Sequence, residues 1–118
     1  MEENELTYEQ SLELIVHAGD AKIAAYDAIA AAGEYKFDLA ESKLSQAKRE
    51  LAAAHQIQTS LIQAEAAGKG QAVRIIMVHA QDHLCMAMMA IDQARQAIQI
   101  NARLQRIEEK LNERSLSQ

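Results

Sequence analysis

"MVHAQDHLCMAMM", residues 77–89, sets two histidines four residues apart, His79 and His83, with the carboxylate of Asp82 between them. The flanking residues are Met, Val, Ala, Leu and Cys, as in a helix packed on both sides. Three ionisable groups within five positions need an explanation in such a setting. On a helix, residues three and four apart are surface neighbours, so His79 can meet both Asp82 and His83. Asp82 and His83, being adjacent, point in different directions. A metal site, a reactive imidazole and a polar plug at a subunit interface all suit this pattern.

The rest of the chain reads as helix. It has 118 residues, no proline, four glycines and 3% aromatic residues, which argues against a strand-rich fold and for helices built from Ala, Leu, Ile, Gln and Glu. The length suits one domain over 1–118, with its core over about 7–113. Glycines divide the chain twice. "AAAGEYK" puts Gly33 where a helix would be capped, and "EAAGKGQ" puts Gly68 and Gly70 between two periodic segments. The expected helices span 7–32, 35–67 and 71–113. Their short connections imply an antiparallel three-helix bundle, with a second helix roughly 45–50 Å long at about 1.5 Å per residue.

Each helix offers a candidate core row. The second carries Phe37, Ala40, Leu44, Ala47, Leu51, Ala54, Gln58 and Leu61 at alternating spacings of three and four. The first offers Leu12, Ile15, Gly19, Ile23, Tyr26 and Ile29 or Ala30, and the third Val73, Met77, Ala80, Leu84, Ala87, Ile91, Ala94 and Ile98. The third helix also has a second row, displaced from the first: Ile75, His79, Asp82, Met86, Met89, Gln93, Gln96, Ile100, Ile107 and Leu111. One helix cannot bury two such faces inside a three-helix monomer, so the second row predicts an oligomer.

A net charge of −5 disfavours nucleic acid as a partner. Cys85 is the lone cysteine, which excludes an intramolecular disulfide and fits a reducing compartment. It reads as a small buried hydrophobe. The opening "MEENELTYEQ" lacks the basic and apolar regions of a signal peptide. No apolar run approaches the roughly 20 residues of a membrane span. A cytoplasmic location is expected.

Three chemistries compete for the histidine motif. "HAQDH" has the form of the inverted zinc-protease motif with Asp in place of Glu. A zinc hydrolase using His79 and His83 then needs a third ligand, for which His17 or His55 are the candidates. Alternatively, three copies of the third helix could meet on an axis and converge three Asp82 carboxylates. A divalent cation preferring oxygen would relieve their repulsion. In the plainest reading the chain is a helical interaction or scaffold protein with a structural metal and a passive His79.

At these residues the sequence resembles the IIA component of the lactose/cellobiose (chitobiose) branch of the bacterial sugar phosphotransferase system. "VHAQDHL" (78–84) carries the resemblance, joined by "AAAHQIQTSLIQAEAAG" (52–68) and "IVHAGDAKIAAYDAI" (15–29), in order, over about residues 10–100. The resemblance implies a homotrimer of three-helix bundles and a phosphohistidine relay from the phosphocarrier HPr to the cysteine of a IIB component during disaccharide uptake. It maps the phosphoryl acceptor to His79. Asp82 maps to a carboxylate shared by three subunits around one structural Mg2+. Gln81 and His83 take supporting places. Cys85 and Lys22 stand where relatives often have Met and Arg, and the tail "NARLQRIEEKLNERSLSQ" has no counterpart signature.

The chemistry suits the residues. Neutral imidazole is present near pH 7 and attacks phosphorus without a metal. The transfer state is loose, so positioning and charge neutralisation dominate. A relay therefore needs an exposed imidazole, an orienting group and a docking surface, but no sugar pocket. Gly68 and Gly70 are not a nucleotide loop, since G-x-x-x-x-G-K-[ST] is absent.

Overall fold

A computed structural model describes the backbone of residues 3–117 and the side chains of residues 5–116; Met1, Glu2 and Gln118 of the expected domain lie outside it. Three helices account for nearly all of it: α1 (Glu3–Gly33), α2 (Phe37–Ala66) and α3 (Ile75–Ser117). They form an all-α up-down-up bundle measuring 75 × 20 × 19 Å. The architecture is the one expected; the boundaries move by up to four residues.

Both turns end in the same hydrogen-bond pattern, with different residues at its left-handed position. After α2, Gly68 takes φ +77°. Lys69 N–H then donates to the Ala64 carbonyl at 2.9 Å and Gly68 N–H to Glu65 at 3.0 Å, closing the helix as a Schellman motif. Gly70 is held by space instead, because a Cβ there would lie 3.1 Å from the Glu65 backbone. After α1 the expected cap, Gly33, remains helical. Tyr35 adopts the left-handed conformation, with φ 61°, while Lys36 N–H donates to Ala31 at 2.9 Å and Tyr35 N–H to Ala32 at 3.0 Å. What holds a tyrosine there is its ring, stacked on Phe37 with centroids 6.0 Å apart. Hydrogen bonding toward Glu108 of α3, then desolvation and the Glu108 charge, raise the Tyr35 phenol above the usual range.

The core is made of alanine. From α1 come Ala18, Ala21, Ala24, Ala25, Ala28, Ala31 and Ala32, all buried, with Leu14 and Ser11 continuing the face. Leu14, Ala18 and Ala21 pack on Ala54 of α2 and on Ala80, Leu84 and Ala87 of α3. Further along, Ala24, Ala25 and Ala28 meet Leu44 and Ala47 of α2 and Ala90, Ile91 and Ala94 of α3. Ala31, Ala32 and Ala40 close the far end. The α2 row is the expected one, and so is the α3 row, except that Val73 precedes the helix and is exposed.

The expected row of α1 is corrected. Leu12, Ile23 and Tyr26 are exposed, Ile23 by 61%. Both rows have helical period, and size decides between them. α1 lies between α2 and α3, where methyl-sized side chains let two backbones approach at once and larger aliphatics would hold them apart.

Substitution tests this. Ala25→Leu is expected to destabilise the protein by about 1–3 kcal/mol through overpacking, whereas Ala30→Leu on the exposed side should change stability by about 0.5 kcal/mol or less. Denaturant unfolding of the two variants checks it, and equal effects would remove the close-approach argument.

Candidate functional site

α3 begins at Ile75, so the histidine motif sits in its first turns, on rigid helix. Ala80 and Leu84 of the same turns point inward and are buried. They fix the rotation of the helix, and with it the direction of every other side chain in the motif. His79 and Asp82 consequently stand exposed, with His83 partly covered beside them. His79 and His83 meet edge to face, with centroids 4.5 Å apart and planes at 89°. Their Nε2 atoms are 3.1 Å apart. A neutral imidazole has one N–H and one lone pair, so one Nε2 donates in this contact and the other accepts.

Gln81 faces elsewhere. Gln58 Nε2 of α2 donates to its Oε1 at 2.6 Å, tying α3 to α2 behind the motif. This accounts for a glutamine in the α2 core row, and it places Gln81 as a brace rather than as a neighbour of the histidine rings. Gln81 also borders a hollow of about 310 Å³, walled by Leu6 and Gln10 of α1, Leu61 and Glu65 of α2, and Met77 of α3. Neither His79 nor His83 lines it. Both rings are reachable from solvent, His79 being exposed and His83 partly covered.

The zinc-hydrolase reading lacks its third ligand. Nδ1 of His17 pairs with Glu50 of α2 at 2.7 Å. His55 lies in a separate groove with Lys48, Met88, Asp92 and Arg95. Among the described residues, no three His, Cys, Asp or Glu side chains of one chain converge as metal ligands. Cys85 is exposed rather than buried, because the inward positions of its turn belong to Leu84 and Ala87.

Asp82 lies on the second row of α3, opposite the bundle, as the periodicity predicted. Of the apolar members of that row, Ile75, Met89, Ile100, Ile107 and Leu111 are exposed on the single chain and Met86 is half-buried. No helix of the described residues is long and apolar enough to cross a membrane. The i,i+4 spacing revealed the histidine contact in advance. The His17–Glu50 and Gln58–Gln81 pairs join different helices, and no local pattern signals them.

The chain is a long helical bundle that carries an outward imidazole pair on the first turns of its third helix. Residues 9–102 match the family described as "PTS system, Lactose/Cellobiose specific IIA subunit", and the chain belongs to that family of phosphotransfer proteins of sugar transport. It is 43% identical over 88 residues to the lichenan-specific phosphotransferase enzyme IIA component of Bacillus subtilis (strain 168), covering 75% of this chain and 80% of that protein. The crystal structure of the PTS cellobiose-specific enzyme IIA from Bacillus anthracis superposes with a TM-score of 0.82 at 30% identity, covering 89% of this chain and 94% of the other. A IIA(chitobiose) chain solved in solution as a complex with HPr gives a TM-score of 0.75 at 30% identity, covering 89% and 99%.

The imidazole contact has a direct signature. One of His79 and His83 should be the Nδ1–H tautomer and the other Nε2–H when both rings are neutral, read by long-range proton–nitrogen correlation spectra. Two Nε2–H tautomers would contradict the contact.

Proposed function

We propose that this chain relays a phosphoryl group in the cytoplasm, accepting it from phospho-HPr on His79 and passing it to the cysteine of a IIB component during uptake of a disaccharide such as lactose or cellobiose/chitobiose. The observation that carries the reading is the exposed imidazole of His79, held against His83 at 3.1 Å on a rigid helix. Family membership and the HPr complex of a structural relative support the choice of donor.

The contact suggests how the pair divides the work. With His83 Nε2–H donating, His79 is the Nδ1–H tautomer and its Nε2 lone pair is the nucleophile. As that lone pair takes phosphorus, the donor imidazole leaves with its electrons, and the His83 N–H turns to a phosphoryl oxygen. Little covalent work remains for the protein in a loose transfer state, so orientation and that one donated hydrogen bond are its contribution. In the onward step the thiolate attacks phosphorus and the His79 imidazole leaves with the electrons of its N–P bond.

The homotrimer belongs to the same proposal. Burying the outward row of α3 against two other copies would bring three Asp82 carboxylates together, each the one carboxylate of its row. Such a donor set fits a hard divalent cation, Mg2+ foremost. It requires three chains, since one chain supplies one carboxylate. The ion would neutralise the charges and register the subunits; the transfer itself runs on His79 and His83.

Incubation with phosphoenolpyruvate, enzyme I and HPr should add one phosphoryl group per chain by intact mass, stable in alkali and lost in acid. His79→Gln should keep the fold and take no label. His83→Gln should be labelled more slowly, by roughly 10²-fold if its N–H stabilises the transferring group. Label on His83, or none on the wild-type chain, contradicts the assignment; a passive scaffold would give none.

Asp82→Leu should keep a trimer by sedimentation equilibrium and lose the bound divalent cation, because three buried like charges become apolar packing. Dissociation of that variant in metal-containing buffer would refute the axial placement.

A further inference from the structure

The imidazole pair suits a second chemistry besides phosphoryl transfer. His79 and His83 stand one turn apart on α3 with their Nε2 atoms 3.1 Å from each other. First-row divalent ions such as Zn2+ bind imidazole nitrogen at about 2.0–2.1 Å. Two nitrogens 3.1 Å apart then subtend roughly 100° at one ion placed at that bond length, between the tetragonal and tetrahedral angles. The spacing of the hydrogen bond is therefore also the bite of a chelate. Rotation of the rings from their edge-to-face setting, with planes at 89°, aims both lone pairs at one ion without moving the helix.

The donor set selects the ion. Imidazole is the commonest metal ligand and suits Zn2+, Ni2+ and Cu2+, whereas Mg2+ and Ca2+ require oxygen donors. Among the described residues no third His, Cys, Asp or Glu side chain joins the pair. Cys85, two residues beyond His83, is turned about 200° around the helix at about 100° per residue. His79 is exposed and His83 partly covered, so water can complete the shell. The buried Ala80 and Leu84 fix the rotation of the helix under both rings, and little ordering remains to be done when an ion arrives. The other two histidines lack this setting. His17 Nδ1 is engaged by Glu50 at 2.7 Å. His55 shares its groove with Lys48 and Arg95, two cations that repel a divalent ion, and Asp92 of that groove already pairs with Arg95 at 3.1 Å.

We infer that His79 and His83 form a two-imidazole site for a divalent cation of the Zn2+ class, and that its occupation shuts the phosphoryl relay. The ion takes both Nε2 lone pairs and sheds two of its waters. The proton that one Nε2 carries moves through solvent to Nδ1 of its own ring, which leaves two neutral imidazoles, both Nδ1–H. The lone pair proposed above as nucleophile is then held by the metal, and the His83 N–H is no longer there to meet a phosphoryl oxygen. The exclusion is reciprocal, because a phosphoryl group on His79 occupies the nitrogen that the ion needs. The site stands on the contact alone; the shutting rests on the relay proposed above.

The test uses the full-length chain, with Mg2+ in excess to fill oxygen sites. Calorimetric titration with Zn2+ should give one ion per chain. His79→Gln and His83→Gln should each weaken that binding on the order of 100-fold or more, since each removes one arm of the chelate. Cys85→Ser and His55→Gln should change it by less than about threefold. A second readout needs no variant: in proton–nitrogen correlation spectra of the wild-type chain, zinc should turn both rings into the Nδ1–H tautomer. Unchanged tautomers with zinc bound, or undiminished binding by His79→Gln, overturn the site.

The relay is tested with purified phospho-HPr. With Zn2+ at about ten times its Kd, labelling of the wild-type chain should slow about tenfold, following the fraction of chain left free. The slower labelling of His83→Gln should be insensitive to the same zinc. Equal slowing of both chains puts the ion on the donor and overturns the shutting. A chain that binds zinc at the pair yet takes no phosphoryl group in zinc-free buffer refutes the relay and leaves the metal site standing.

Discussion

Close approach of three helices along rows of alanine is the constraint on which this protein depends. α1 lies between α2 and α3 and presents Ala18, Ala21, Ala25, Ala28 and Ala32 to them, with Leu14, Leu44, Leu84 and Ile91 the larger side chains buried among these methyl groups. Alanine loses no rotamer freedom on burial and favours helix more than any other residue. The cost is a small apolar yield per residue, recovered by length: long helices repeat the contact over many turns. Leu14 and Leu84 are the largest side chains buried completely near the motif, and each is worth about 1.5–3 kcal/mol of transfer free energy.

A thin core has consequences outside itself. Because the inward rows hold methyl groups, the larger aliphatics face out, on α1 as Leu12, Val16 and Ile23 and on α3 as Met89, Ile100 and Ile107. The single chain is therefore a rigid rod with apolar surface remaining. The same inward rows set the rotation of α3, so Ala80 and Leu84 determine that His79 and Asp82 face outward. Placement on the first turns of a long, well-packed helix gives the imidazole pair a defined direction without enclosing it. A reaction between two proteins requires that combination.

Polar contacts between helices refine this arrangement. Gln58–Gln81 joins α2 to α3 at the motif and His17–Glu50 joins α2 to α1. Each lies at an edge of the alanine core, where a polar side chain keeps contact with water and burial costs little. They set the lateral register of helices whose alanine faces alone could slide.

The sequence by itself determined three helices, their approximate limits, the core rows of α2 and α3, and the motif that marks the family, because these depend on period, propensity and short spacing. The His79–His83 contact was legible for the same reason: residues four apart on a helix are neighbours whatever surrounds them. Only the tertiary structure decided which face of α1 is inside, since periodicity offered two rows and the gap between helices selected the smaller side chains. It also decided that Tyr35 rather than Gly33 makes the left-handed turn, where the Tyr35 ring stacks on Phe37. Cys85 and Gln81 follow the same rule. The rotation of a packed helix decides what faces solvent and what reaches across to α2, and that rotation is set by residues on all three helices together.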